Sequence, residues 1–146
     1  MFKTRRSVSI NRSPQDVFNY VTDPANDANW QGLTESSHWT SEGPPGVGST
    51  QDSVSRFLGR KMESTLEITI WDPPNTVGFK VTMGPMPFQG AFGFESIGEN
   101  QTELTADVEA EIGGFLKLAK GLVGKQLEKQ LDTDFNALKL LLEGEQ

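Results

Sequence analysis

The run Leu104-Thr105-Ala106-Asp107-Val108-Glu109-Ala110-Glu111-Ile112-Gly113-Gly114-Phe115-Leu116-Lys117-Leu118-Ala119 changes period in its middle, and that change decides the fold. Before the glycine pair, Leu104, Ala106, Val108, Ala110 and Ile112 share one side of an extended chain. Glu103, Asp107, Glu109 and Glu111 take the other. After it, Phe115, Leu118, Ala119, Leu122, Val123, Leu127, Leu131, Phe135, Leu138, Leu141 and Leu142 recur at threes and fours, the spacing of a helix with one buried stripe. A helix over residues 115–142 would extend about 42 Å. Burying each large apolar side chain contributes about 1.5–3 kcal/mol, so the stripe needs a partner surface.

Upstream of this run, alternation supplies that surface. Phe2 to Ile10 reads as a strand. Ser13-Pro14-Gln15-Asp16 then opens a helix: Ser13 accepts from an orphan amide, Pro14 suits the first position, and Asp16 favours the positive end. Val17, Phe18 and Val21 are its apolar face. Asp23-Pro24 ends it and starts a second short helix through Asn29. Six strands follow, separated by turn residues at Gly43–Gly48, Gly59, Asp72–Asn75, Gly84–Pro87 and Gly98–Gln101. Met62, Leu66, Ile68 and Ile70 share a face, as do Val77, Phe79, Val81 and Met83, and Phe88, Phe92 and Phe94. Such strands make an antiparallel sheet with one wet face. The strand from Ser49 to Leu58 is ambiguous: Val54 and Leu58 have one parity and Phe57 the other.

Composition narrows the function. The chain of 146 residues is expected to be a single domain, 1–146. Its 13 basic and 20 acidic side chains leave a net charge of −7. That balance lacks the basic stripe a nucleic-acid binder needs and argues against an anchor on anionic membrane. Cysteine is absent, which excludes a thiolate nucleophile. His38 is the only histidine, so no multi-histidine metal site can form. No apolar run is long enough for a stable membrane insertion, and a cytoplasmic protein is the expectation. No nucleophile elbow, phosphate loop or other catalytic constellation stands out. No metal and no cofactor is expected.

The order of strand, two short helices, six-strand meander and long helix resembles the α+β helix-grip fold. Its pieces are Ser13-Pro14-Gln15-Asp16-Val17-Phe18, Asp23-Pro24 leading to Trp30, Gly43-Pro44-Pro45-Gly46-Val47-Gly48, Gly59-Arg60-Lys61-Met62-Glu63, Trp71-Asp72-Pro73-Pro74 and Asp134-Phe135-Asn136-Ala137-Leu138-Lys139. In this order they are similar to the START-like (SRPBCC) polyketide cyclase/dehydrase and lipid-transport family over nearly the whole chain. The resemblance implies a seven-stranded curved sheet, two short helices and a long C-terminal helix over an apolar pocket. It implies a lipid, sterol or polyketide-like ligand there.

Strand parity offers a lining for such a pocket: Trp39, Met62, Leu66, Phe79, Val81, Phe92, Phe94 and Leu104 from the sheet, and Phe115, Ala119 and Val123 from the helix. Alternate turns of a meander lie at one end, which puts Met83, Met86 and Phe88 on its rim. Ser64, Gly90 and Ser96 leave space on the inward faces. Arg56 faces inward only if Val54 does, and would then anchor a carboxylate. Three functions compete. A binding or carrier domain needs an open cavity. An enzyme of cyclase or dehydratase type needs an inward acid or base, for which Asp52, Arg56 and Tyr20 are the candidates. A protein-interaction module needs an exposed apolar groove.

Overall fold

A computed structural model describes residues 2–57, 59–111 and 120–144. Strand β1 (Phe2–Ile10) leads to helix α1 (Pro14–Val21), a 3-10 turn (Pro24–Asn26) and helix α2 (Asp27–Trp30). Strands β2 (Thr34–Trp39), β3 (Thr50–Phe57), β4 (Arg60–Asp72), β5 (Thr76–Met83), β6 (Phe88–Gly98) and β7 (Gln101–Ala110) follow, and then helix α3 (Lys120–Gly144). The seven strands form one antiparallel sheet in the order β1-β7-β6-β5-β4-β3-β2. The helix-grip architecture read from the sequence is the one observed. Phe115 and Ala119 lie outside the described residues.

Local chemistry explains the elements. The Ser13 hydroxyl accepts from the Asp16 amide at 3.2 Å and starts α1, whose Val17, Phe18 and Val21 are buried. The acidic outer row of β7 meets the basic start of the chain in register. Arg5 stands opposite Asp107 and bonds it at 2.6 Å, and Lys3 stands opposite Glu109 at 3.5 Å. Such exposed pairs fix register more than they stabilise, contributing about 0–1 kcal/mol each.

Three strands settle or change what alternation suggests. In β4 a bulge between Ile68 and Ile70 reverses the parity, so Trp71 turns inward and Ile70 is 44% exposed. Ile70 therefore does not continue the face of Met62, Leu66 and Ile68. In β5 pairing with β6 stops at Lys80 opposite Gln89. Val81 and Met83 run on against β4 alone, and Met83 is 70% exposed. In β3 the inward residues are Gln51, Ser53, Ser55 and Phe57, leaving Asp52, Val54 and Arg56 on the outer parity.

The main core lies between one part of the sheet and the helices. Ile10, Phe18, Trp30, Phe94, Leu104 and Ala106 pack there against Phe135, Leu138 and Leu142 of α3. Leu122 and Leu141 fall outside the buried stripe because their neighbours Val123 and Leu142 take the inward positions. A second small cluster, Phe57, Met86 and Val123, forms where the β3–β4 and β5–β6 turns come together. Phe2, Leu33, Met62 and Leu127 pack against it. Gly124 admits the Phe2 ring, since a Cβ there would stand 2.9 Å from Cε2 of Phe2.

Candidate ligand-binding cavity

Between the two clusters α3 stays on the edge strand β1, where the Thr4 hydroxyl donates to Glu128 at 2.7 Å, and stands off the middle of the sheet. The space is about 300 Å³, at the small end of ligand cavities. One wall is aromatic. Phe79 contacts Phe88 at 6.1 Å and Phe92 at 5.3 Å between ring centroids, and Phe92 lies 6.3 Å from Trp30. Trp30 stacks on Phe135 at 6.4 Å, which ties this wall to the core. The Trp30 indole N–H is buried with no hydrogen-bond partner among the described residues.

The facing wall is polar and short. Ser37, Ser53 and Ser64 stand side by side in register across β2, β3 and β4, and Ser55 lies beside them. The Ser37 and Ser53 hydroxyls are 3.2 Å apart, and Ser37 also bonds the Asp27 carboxyl. The Ser37 hydroxyl has one proton and serves one of these partners at a time. In the structure Ser37 donates to Ser53, the direction that goes with a protonated Asp27 donating to Ser37. With Asp27 ionised, the chain reverses, and Ser37 donates to the carboxylate.

Two carboxyls face this space. Asp27 is 9% exposed, and its pKa is pushed up to about 7. Burial is the main cause and the nearby Asp23 charge adds to it, while the Ser37 bond opposes the shift. Asp134 is also raised by burial, against bonds donated by the Gly32 amide at 2.9 Å and by Gln130 Nε2 at 2.7 Å. Those bonds make Asp134 a clamp holding α3 to the link between α2 and β2. Among the described residues Asp27 has Ser37 alone as a side-chain donor.

Of the residues selected from parity, Met62, Leu66, Phe79, Met86, Phe88 and Phe92 line the space. Phe94 and Leu104 do not, because the core closes over them. Trp39 has the inward parity but packs on the edge of that core. Val123 is buried in the second cluster. Val81 and Met83 lie beyond the last β5–β6 pair and outside the lining. Arg56 is exposed and bonds Glu35 at 3.1 Å, so it offers no inward anchor. Asp52 accepts from Thr65 and Tyr20 packs at the core margin, and neither lines the space. Ser64 lines it, whereas Gly90 is pressed on the Asp107 carbonyl and Ser96 is exposed. Asp27 escaped the parity argument because α2 is one short turn. Its spacing of three from Trp30 was the available signal, since positions i and i+3 share a helix face.

A wider groove of about 750 Å³ opens on the outer face beside Lys3, Arg5 and Lys80. Its charges are taken up in pairs with Glu109, Asp107 and Glu67, and it is open to solvent. Among the described residues no group of three or more carboxylates or histidines could hold a metal ion. No described helix is long and apolar enough to cross a membrane.

The fold recurs in solved structures of low sequence identity. A protein from Thermus thermophilus superposes with a TM-score of 0.84 at 19% identity, covering 97% of each chain. The Zhui aromatase/cyclase from a Streptomyces species superposes with a TM-score of 0.80 at 16% identity, over 97% of this chain and 93% of that one. A START superfamily protein from Mycobacterium smegmatis gives 0.79 at 15% identity over 100% of both. No curated protein sequence matches the chain. Residues 1–143 match the polyketide cyclase/dehydrase and lipid transport family, and the chain belongs to that family.

Proposed function

We propose that this protein binds a small apolar or amphipathic molecule in the cavity between the sheet and α3. The observation that carries the reading is the space itself, set between two packed clusters and lined mainly by apolar side chains. Burial of the ligand's apolar surface would supply the affinity, at about 25 cal/mol per Å². Asp27 and the serine row would orient it. Met62 and Met86 suit an adaptable fit. The family name, which joins cyclases with lipid transport, is compatible with this reading. Native mass spectrometry of gently purified protein, and thermal shifts with a panel of neutral lipophiles, test it. Bound lipophile and a raised Tm are expected. A panel that leaves both mass and Tm unchanged would overturn the reading.

One observation favours a second reading, an enzyme of cyclase or dehydratase type. A carboxyl with a pKa of about 7, facing an apolar cavity and joined to a hydroxyl chain, can give or take a proton near neutral pH. Asp27 then fills the role for which Asp52, Arg56 and Tyr20 are misplaced. Turnover of a polyketone substrate that vanishes in Asp27→Asn, with binding retained, is the result this reading requires.

A further inference from the structure

Every polar group that the described residues bring to the cavity wall is neutral or acidic. Among the described residues lining it there is no lysine, arginine or histidine. The described residues facing it from the elements packed on α2 bring no positive charge: Asp23 at the 3-10 turn, Asp134 from α3, and from β2 the uncharged Ser37. Asp134 accepts from both Gly32 and Gln130 on Oδ1. Among the described residues Asp27 has one neutral side-chain donor and no counter-charge.

Resting on the cavity-binding reading above, we propose that the cavity selects an apolar molecule bearing a protonated amine, with Asp27 as its counter-ion and the aromatic wall around its apolar part. The desolvation of Asp27 is already borne by the fold, so a cation arriving there gains the attraction without that cost. The rings of Trp30 and Phe92 add attraction for a cation near their faces. A carboxylate would meet a negative wall with no donor beyond hydroxyls, and an alcohol would gain a hydrogen bond but no charge pairing. The pocket therefore discriminates by head group against the acidic lipophiles.

Calorimetric titration of the full chain with decylamine, decanol and decanoate separates the possibilities. At about pH 8.5, with Asp27 ionised, decylamine is expected to bind about tenfold or more tightly than decanol, and decanoate least tightly. At about pH 5.5 Asp27 is protonated while the amine keeps its charge, so the amine's advantage should fall below about threefold. Asp27→Asn should abolish that advantage at the higher pH, bringing decylamine to within about threefold of decanol. If that variant fails to fold, the pH series on the unaltered protein decides alone. Decanol or decanoate binding as tightly as decylamine at the higher pH overturns the amine inference and leaves the cavity reading standing. If none of the three binds, the cavity reading falls with it.

Discussion

The two halves of the sheet present the same concave face to the same helix and end differently. Strands β1, β6 and β7 put Ile10, Phe94, Leu104 and Ala106 inward, and these close against Phe135, Leu138 and Leu142, while Phe88 and Phe92 of β6 pass on to the cavity's aromatic wall. Strands β2, β3 and β4 put Ser37, Ser53, Ser55 and Ser64 inward, and the wall stands off from α3. Backbone curvature alone does not make the cavity, since both halves share it. Side-chain length does: a row of serines where the other half has phenylalanine, leucine and isoleucine withholds the volume that would fill the interior. α3 divides accordingly. Leu127, Gln130, Leu131 and Asp134 line the space, and from Phe135 onward its buried face is core.

The most direct way to break this comparison is to truncate one leucine in each half. Leu138→Ala is expected to lose about 3–5 kcal/mol in urea unfolding, because its site is fully packed. Leu66→Ala, on the cavity wall, should lose less than about half of that. Equal losses would mean that the two halves are packed alike.

A test by pH comes next in size. Asp27 has a folded pKa raised to about 7 from an ordinary 3.8. A raised folded value means the folded state holds the proton more tightly. The stability linked to it is full below about pH 4 and is lost as pH rises through about 7. Relative to Asp27→Asn, the unaltered protein should therefore lose up to about 4 kcal/mol between those limits. A difference that stays flat with pH would place Asp27 in contact with water.

Filling the hollow half sharpens the contrast further. Ser55→Leu with Ser64→Leu should raise stability by about 0.5–2 kcal/mol while weakening decanol binding at least about tenfold in calorimetry. The smallest effect belongs to the outer face. Arg56→Ala removes an exposed pair with Glu35, so thermal unfolding should show a loss below about 1 kcal/mol and ligand titration no change.

The parts readable from the sequence were those with a long, steady period. The alternation of β7 and the helical stripe after it determine the architecture, and strand order follows from the meander. Residues on uninterrupted stretches of strand, such as Leu66 and Phe92, were placed on the cavity wall by parity alone. Parity failed where the ladder itself is irregular, at Ile70 beyond the bulge and at Val81 and Met83 beyond the last β6 partner. It also could not separate lining from core: Phe94 and Phe92 share a face, but only neighbours distant in sequence decide that one is enclosed. Asp27 was hidden for a third reason. Its pKa and its isolation arise from burial by β2 and α3, and a short polar run such as Asp23-Pro24-Ala25-Asn26-Asp27 reads equally well as a surface turn.

The bulge in β4 has a further consequence through Gly78 on the neighbouring strand. A Cβ at Gly78 would stand 2.7 Å from the Thr69 hydroxyl and 2.9 Å from Ile70 Cγ1, so the bulge depends on that missing methyl. The bulge in turn points Trp71 at Phe18, with ring centroids 5.3 Å apart. The strand thus carries a phase shift whose setting is stored in another strand. An alanine at Gly78 would act as an error in reading frame, exchanging the inside and outside of β4 from that point on, although no residue of β4 itself had changed.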